Sequence, residues 1–340
     1  SALGVSHGDA VVTTPMTFCS TVNVIENLGA VPVLADVDPE TLNLDPAGVQ
    51  DLLSGDRISL PDGTTVETRS VKVLLPVHLY GHPCDLDGVL ALAEARGLAV
   101  VEDAAHALIA RYRGQPIGAD PQPERSVPVL TAFSFYATKN LTTTEGGMLT
   151  GPESVLQEAR VLSLHGMSQD AYRRYSSEGS WFYEVLKPGF KYNMTDLQAA
   201  IGLHQLRRLS GFQQRRRAIA ERYTLAFSGV EALDCPACRA EVDHAWHLYV
   251  VRLKLEALHI GRAEFIEELK RRKIGTSVHF IPVHMHRYYR ERYGYQPKDF
   301  PVAHNGYERI VSLPIYPRMT DRDVEDVISA VLDVTTEFSV

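Results

Sequence analysis

Short apolar runs alternate with amphipathic stretches through the first hundred residues of the chain. AVVTTP, VPVLADV, VKVLLPVHL and LAVVED read as strands, separated by helical stretches over TFCSTVNVIENLGA, DPAGVQDLL and DLDGVLALAEARG. The apolar runs lack strict in-and-out alternation, which is the pattern of strands covered on both faces. Strand, helix, strand at this spacing predicts right-handed crossovers and a mostly parallel sheet. Asp45 and Pro46 start one helix and Gly97 stops another. A further strand, VLTAFSF, leads into a Thr-rich turn, and a helix from about Pro152 to Leu162 follows.

The pattern then changes. From His165 to Asp196 runs a polar, aromatic-rich stretch too long for a routine connection, which reads as reaching toward a partner subunit. A long helix from roughly Thr195 through Tyr223 is the natural hinge between domains. Beyond it, WHLYVVRLKL reads as a strand, GRAEFIEELKRRKIG as a helix ending at Gly275, TSVHFIP as a strand, and two helices lie around His286 to Tyr293 and Asp321 to Val334. That order predicts a small α+β domain, so residues 1–225 are expected to form a large domain and 226–340 a small one. The opening SALGVSHGDAVV enters a strand almost at once, and the N-terminal part of the large domain is expected to lie ahead of it.

Composition narrows the function classes. With 42 acidic against 34 basic side chains the formal charge is -8, which opposes a nucleic-acid surface. Arg207, Arg208 and the run Arg215 to Arg217 read as a solvated helix face. No apolar stretch reaches the roughly 18 residues of a membrane span and no signal peptide leads the chain, so a cytoplasmic location is expected and a membrane partner is not. Cys235 and Cys238 form a lone C-x-x-C with neither a second pair nor neighbouring histidines, and are expected to be reduced loop thiols. His279, His284 and His286 are interrupted by Pro282 and lack a carboxylate, so no metal site is expected. Phosphate-loop, dinucleotide, zinc-protease and nucleophile-elbow motifs are all missing.

What remains is a lysine and an aspartate. Between Pro128 and Thr150 the only charges are Lys139 and Glu145, in an otherwise apolar and hydroxyl-rich run. Ligands of parallel sheets bind beyond the carboxyl ends of the strands. That rule picks out Asp103, ending LAVVED, and Lys139, just beyond VLTAFSF. A lysine held there by burial becomes a free amine able to form a Schiff base.

VVEDAAHA, SFYATKN, EGGMLT and KYNMTDLQAAIG, in this order and at compatible spacing, resemble the DegT/DnrJ/StrS sugar aminotransferases. The resemblance implies a pyridoxal-phosphate-dependent transferase of fold type I. It makes Lys139 the Schiff-base lysine, Asp103 the partner of the pyridine nitrogen and His106 a neighbour of the 3'-hydroxyl. Ser134 falls where the family contacts the cofactor phosphate, and Phe18 where an aromatic ring stacks on the pyridine face. Lys191 and Asn193 stand where many members carry Asn and Arg, so both are candidates for reaching the phosphate across a homodimer interface. HGM, DAY, GFKYNMTD and HAWHLYVVRL bring the chain nearest the branch that aminates C4 of 4-keto nucleotide sugars, such as the enzymes forming UDP-4-amino-4-deoxy-L-arabinose. That branch implies L-glutamate as donor, a nucleotide-linked sugar, on UDP, as acceptor, and His165, His279 and His284 as substrate contacts. Relatives that act as C3 dehydratases carry histidine in place of the lysine. Others act as regulators without aminotransferase activity.

Overall fold

In the computed structural model, residues 1–119, 125–168 and 182–340 are described. The central feature is a six-stranded sheet. From one edge to the other its strands are Gly147–Thr150, Val129–Ser134, Ala99–Asp103, Val71–Leu75, Ala10–Thr13 and Val31–Leu34. All neighbours pair in parallel except Gly147–Thr150, which returns antiparallel along Val129–Ser134. The four apolar runs of the first hundred residues thus become adjacent strands, with buried side chains such as Val12, Val33, Leu74 and Val100. Burial of this kind stabilises by about 1.5–3 kcal/mol per large aliphatic side chain.

Local signals set the helix ends. Asp45 accepts from the Ala47 N–H at 3.1 Å with Pro46 as first helical residue, and Asp85 accepts from the Gly88 N–H at 3.2 Å. Gly97 closes Leu86–Arg96 in the left-handed conformation, φ 65°. The long helix runs Asp196–Phe227, opened by a capping box between Thr195 and Gln198. The first helix is shorter than the apolar pattern implies, Ser20–Asn27, and leaves Phe18 ahead of it.

A second core gathers around the strand Tyr249–Leu253, which pairs antiparallel with Ile310–Leu313 and with Leu233–Asp234. Tyr223 and Phe227 of the long helix, Phe265 and Leu269 of Arg262–Arg271, and Val324, Val327 and Val331 of Asp321–Glu337 fill it. The two cores do not divide the chain at one position. Ile219 already belongs to the second core, while Val283, Tyr289 and Phe300 pack against the first.

Two expectations for this region fail. TSVHFIP is no strand: within it only Ser277 bridges, to Ser312. Val278 and Phe280 both pack against the first core and Ile281 is exposed, so the segment lies along that core rather than within a sheet. The strand that does pair there is Ile310–Leu313, four residues buried throughout and hence without the alternation that marks a half-exposed strand. The helix over GRAEFIEELKRRKIG stops at Arg271, and Lys273, not Gly275, takes the left-handed φ of 65°. Among the described residues no helix is long and apolar enough to cross a membrane, and no cluster of His, Cys, Asp and Glu is arranged to hold a metal.

Candidate active site

Two adjacent parallel strands, Ala99–Asp103 and Val129–Ser134, end side by side with Asp103 opposite Ala132. The backbone of Asp103 is held on both sides: its N–H donates to the Pro76 carbonyl at 2.8 Å and its carbonyl accepts from the His78 N–H at 3.0 Å. One carboxylate oxygen accepts from the Thr21 hydroxyl at 2.7 Å, the other from the Ala105 N–H at 3.0 Å. Thr21 is itself 2.7 Å from the Thr17 hydroxyl. Glu102 points to the opposite face, where it accepts from Thr131 at 3.0 Å and pairs with buried His78 at 3.2 Å. Alternation along one strand therefore gives one carboxylate to the sheet interior and one to the site.

Lys139 sits in the loop that joins Val129–Ser134 to Gly147–Thr150. The Phe135 N–H donates to Gly146 and the Thr143 N–H to Phe135, at 2.8 and 2.9 Å, and the Lys139 N–H donates to Tyr136 at 3.0 Å. The lysine is half-buried. Burial lowers its pKa below the ordinary lysine value, while the nearby Asp103 carboxylate pulls in the other direction. Desolvation wins, so the amine is easier to free than that of a surface lysine.

His106 is buried, and its Nδ1 accepts from the Tyr80 N–H at 3.2 Å. A neutral ring accepting at Nδ1 carries its proton on Nε2. Burial holds its pKa well below the usual histidine value, and Lys139 and His279 add to the effect. Its ring lies 4.3 Å from the ring of His247 and 5.7 Å from that of Phe280. Phe280 in turn lies 5.8 Å from Phe18, which is 58% exposed, so Phe18 presents a free ring face rather than filling a core. His279 approaches Ser312 at 2.8 Å through Nδ1, and burial and Lys139 lower its pKa. The Tyr80 hydroxyl donates to the His279 carbonyl.

Ser134 ends its strand half-buried, its hydroxyl accepting from the Tyr136 N–H at 3.3 Å. The structure thus gathers Lys139, Asp103, His106, Ser134, Phe18 and His279 at one end of the sheet. Lys191 and Asn193 lie elsewhere, exposed, and share a hydrogen bond from the ammonium to the amide oxygen, which puts them on the same side of an extended segment. His165 is exposed at a left-handed turn, φ 58°, its N–H donating to Phe190 at 2.7 Å. Residues 169–181, which include the DAY of the branch-specific motif, lie outside the described residues.

His284 is separated from this group. It is fully buried against Phe300, ring centroids 4.8 Å apart, with both ring nitrogens unpartnered and its pKa pushed down to about 4 by burial and by His304. Sequence reasoning also passed over Thr21, Tyr80, Asn140 and His247. Of these only His247 left a signal, as a histidine inside the apolar strand-like run HAWHLYVV.

Comparison with known proteins follows the same lines. Residues 1–332 match the DegT/DnrJ/EryC1/StrS aminotransferase family. The spore coat polysaccharide biosynthesis protein SpsC of Bacillus subtilis is 50% identical over 335 residues, 98% of this chain and 81% of SpsC. Spr1654 from Streptococcus pneumoniae in its PMP form has a TM-score of 0.85 at 31% identity, covering 98% of this chain and 84% of Spr1654. S. venezuelae DesV in complex with a ketimine intermediate has a TM-score of 0.82, also at 31% identity, over 98% and 80%. The chain belongs to the DegT/DnrJ/EryC1/StrS aminotransferase family.

Proposed function

We propose that this aminotransferase-family chain uses pyridoxal 5'-phosphate to move the amino group of L-glutamate to the 4-keto carbon of a nucleotide-linked sugar, on UDP. The observation that carries the reading is the Asp103 carboxylate close enough to half-buried Lys139 to act on its amine, the two lying at and just beyond neighbouring strand ends. The donor set fits the cofactor: an amine of lowered pKa, a carboxylate for a ring nitrogen, an exposed aromatic face at Phe18 and a hydroxyl at Ser134. Bound there, the cofactor supplies an electron sink for the carbon that loses its proton.

Lys139 Nζ is the nucleophile and then the proton carrier, taking the α-proton of the amino donor and returning it on the cofactor side. For the sugar the same nitrogen runs the transfer in reverse. Asp103 keeps the ring nitrogen protonated, its carboxylate held for that task by Thr21 and the Ala105 N–H. His106 offers Nε2–H to the ring oxygen, and Phe18 covers one ring face. Lys191 and Asn193 reach the phosphate in the site of a second copy, and His165 and His279 meet the sugar nucleotide. His284, enclosed in the core, takes no part. Resemblance to a polysaccharide-biosynthesis relative supports a product destined for a surface glycan.

The test is incubation with glutamate and a panel of 4-keto nucleotide sugars on UDP, GDP and dTDP, reading 2-oxoglutarate release. The expected result is release with a UDP-linked member. No release with any of them would overturn the reading in favour of a regulatory relative.

A further inference from the structure

His247 lies outside the strand ends yet is bound to them on every side. Asn140, the residue after Lys139, is buried and turned by its own hydrogen bonds: its Nδ2 donates to the Ala245 carbonyl at 2.9 Å, which leaves Oδ1 to face His247 Nδ1 at 3.0 Å. With an amide oxygen opposite, His247 Nδ1 must be the protonated nitrogen. His106, whose Nδ1 accepts from Tyr80, carries its proton on Nε2. Two neutral imidazoles of opposite tautomer therefore lie 4.3 Å apart, tilted by 30°.

The backbone around them is constrained for this contact. Trp246, just before His247, has φ 47°, and Tyr80 has φ 61°, values that bulky residues seldom adopt. Arg216, buried in the long helix, donates one Nη1 to the carbonyls of Trp246, His247 and Ile315 at 3.0–3.1 Å. Gly81 lets the two segments close: a Cβ there would sit 2.8 Å from the His106 carbonyl and 3.2 Å from the His247 nitrogen. The Ala245 N–H then donates to Gly81 at 2.9 Å and the Leu248 N–H to Tyr80 at 3.2 Å.

We propose that His247 is a positioning residue: its ring covers His106 and, through Asn140, ties that cover to the residue beside Lys139, so that His106 meets the cofactor as an Nε2–H donor. The groups facing His106 are Lys139 from the strand-end loop, His279 from the extended 276–282 segment, His247 itself, the Tyr80 backbone N–H and Asp103 three residues before it. Burial disfavours a charged His106 most, and Lys139 and His279 add to the effect. Burial likewise holds His247 well below the ordinary value, reinforced by His106, Lys139, Arg216 and His279. Neither ring becomes a cation beside the amine that must stay free.

The proposal rests on the reading of His106 as a cofactor contact, but its test does not depend on turnover. The probe is ¹⁵N of the histidine rings in the holoenzyme, with the His106 signals assigned from a His106→Gln spectrum, followed from about pH 8.5 to 5.5. In the wild type His106 is expected to show the Nε2–H pattern and no titration. His247→Asn retains a donor to Asn140 but removes the cover, and His106 is expected to titrate within about one unit of 6.5. His247→Phe retains the cover, and His106 is expected to stay silent. If His247→Asn does not fold, His247→Gln is followed instead, a donor to Asn140 without a ring, and the same titration is expected. An Nδ1–H pattern in the wild type, or the same His106 behaviour in the Asn and Phe variants, contradicts the proposal. A titration difference between the variants without any 2-oxoglutarate release leaves the positioning role standing and removes only the transamination reading.

Discussion

At the strand ends Asp103, His106, His247 and His279 each have a hydrogen-bond partner, whereas between Val185 and Leu206 large apolar side chains stand in solvent. Tyr192 and Leu197 are each 75% exposed, and Val185, Leu186, Leu203 and Leu206 each more than half. The first region is set by its own chain: polar groups paired within the chain hold a geometry before any ligand arrives. The second is exposed apolar surface among the described residues, and exposed apolar side chains of this kind mark an interaction face. Lys191 and Asn193 lie within it. The contrast is that of a half-site finished internally and an exposed face that we propose meets a second copy, and it can be broken from either side.

The largest effect is expected from Lys139→Ala, which removes nucleophile and proton carrier together. Amino transfer measured in a single turnover with glutamate should fall on the order of 10³-fold or more, with the fold intact by circular dichroism. Asp103→Asn keeps the Thr21 hydrogen bond but not the charge, and a loss of roughly 10²–10⁴-fold in kcat is expected. A variant within tenfold of wild type would show that the carboxylate is structural. On the other side, Leu203→Asp with Leu206→Asp should raise the dissociation constant of the proposed dimer by about 100-fold, read by analytical ultracentrifugation, and make activity depend on protein concentration. The strand-end rings should be unaffected by that change.

The smallest effect is on acid stability. His106, His244 and His247 have folded pKa values well below the ordinary 6.5 because burial penalises their charged forms. Below that pH the unfolded chain binds more protons than the folded one. Their contribution is thus complete above about pH 6.5 and falls as the pH drops, by about 1.4 kcal/mol per unit for each ring still neutral. His247→Phe should flatten the slope of urea-unfolding stability against pH by about one ring's share. An unchanged slope would mean that His247 is not held neutral.

How much of this was legible follows from what each residue depends on. Asp103 and Lys139 could be read because their places are set by strands whose apolar runs are local, and the parallel-sheet rule does the rest. The helix starts at Asp45 and Asp85 were equally local. Ile310–Leu313 was not, because its residues divide between the two cores, and the course of TSVHFIP was not, because it follows packing against the first core rather than a neighbouring strand. His284 looked like its neighbour His279 in the sequence, and only packing against Phe300 sends it inward. His247 and Asn140 meet over more than a hundred residues of separation, across a turn that Gly81 allows, and nothing in the local pattern announces that contact.

The most direct test of the central claim is borohydride reduction of the protein loaded with pyridoxal 5'-phosphate, followed by peptide mass mapping. The account predicts the reduced cofactor mass on the peptide that contains Lys139, lost on prior addition of glutamate and absent from Lys139→Ala. The same mass on a different lysine, or its persistence in Lys139→Ala, would contradict it.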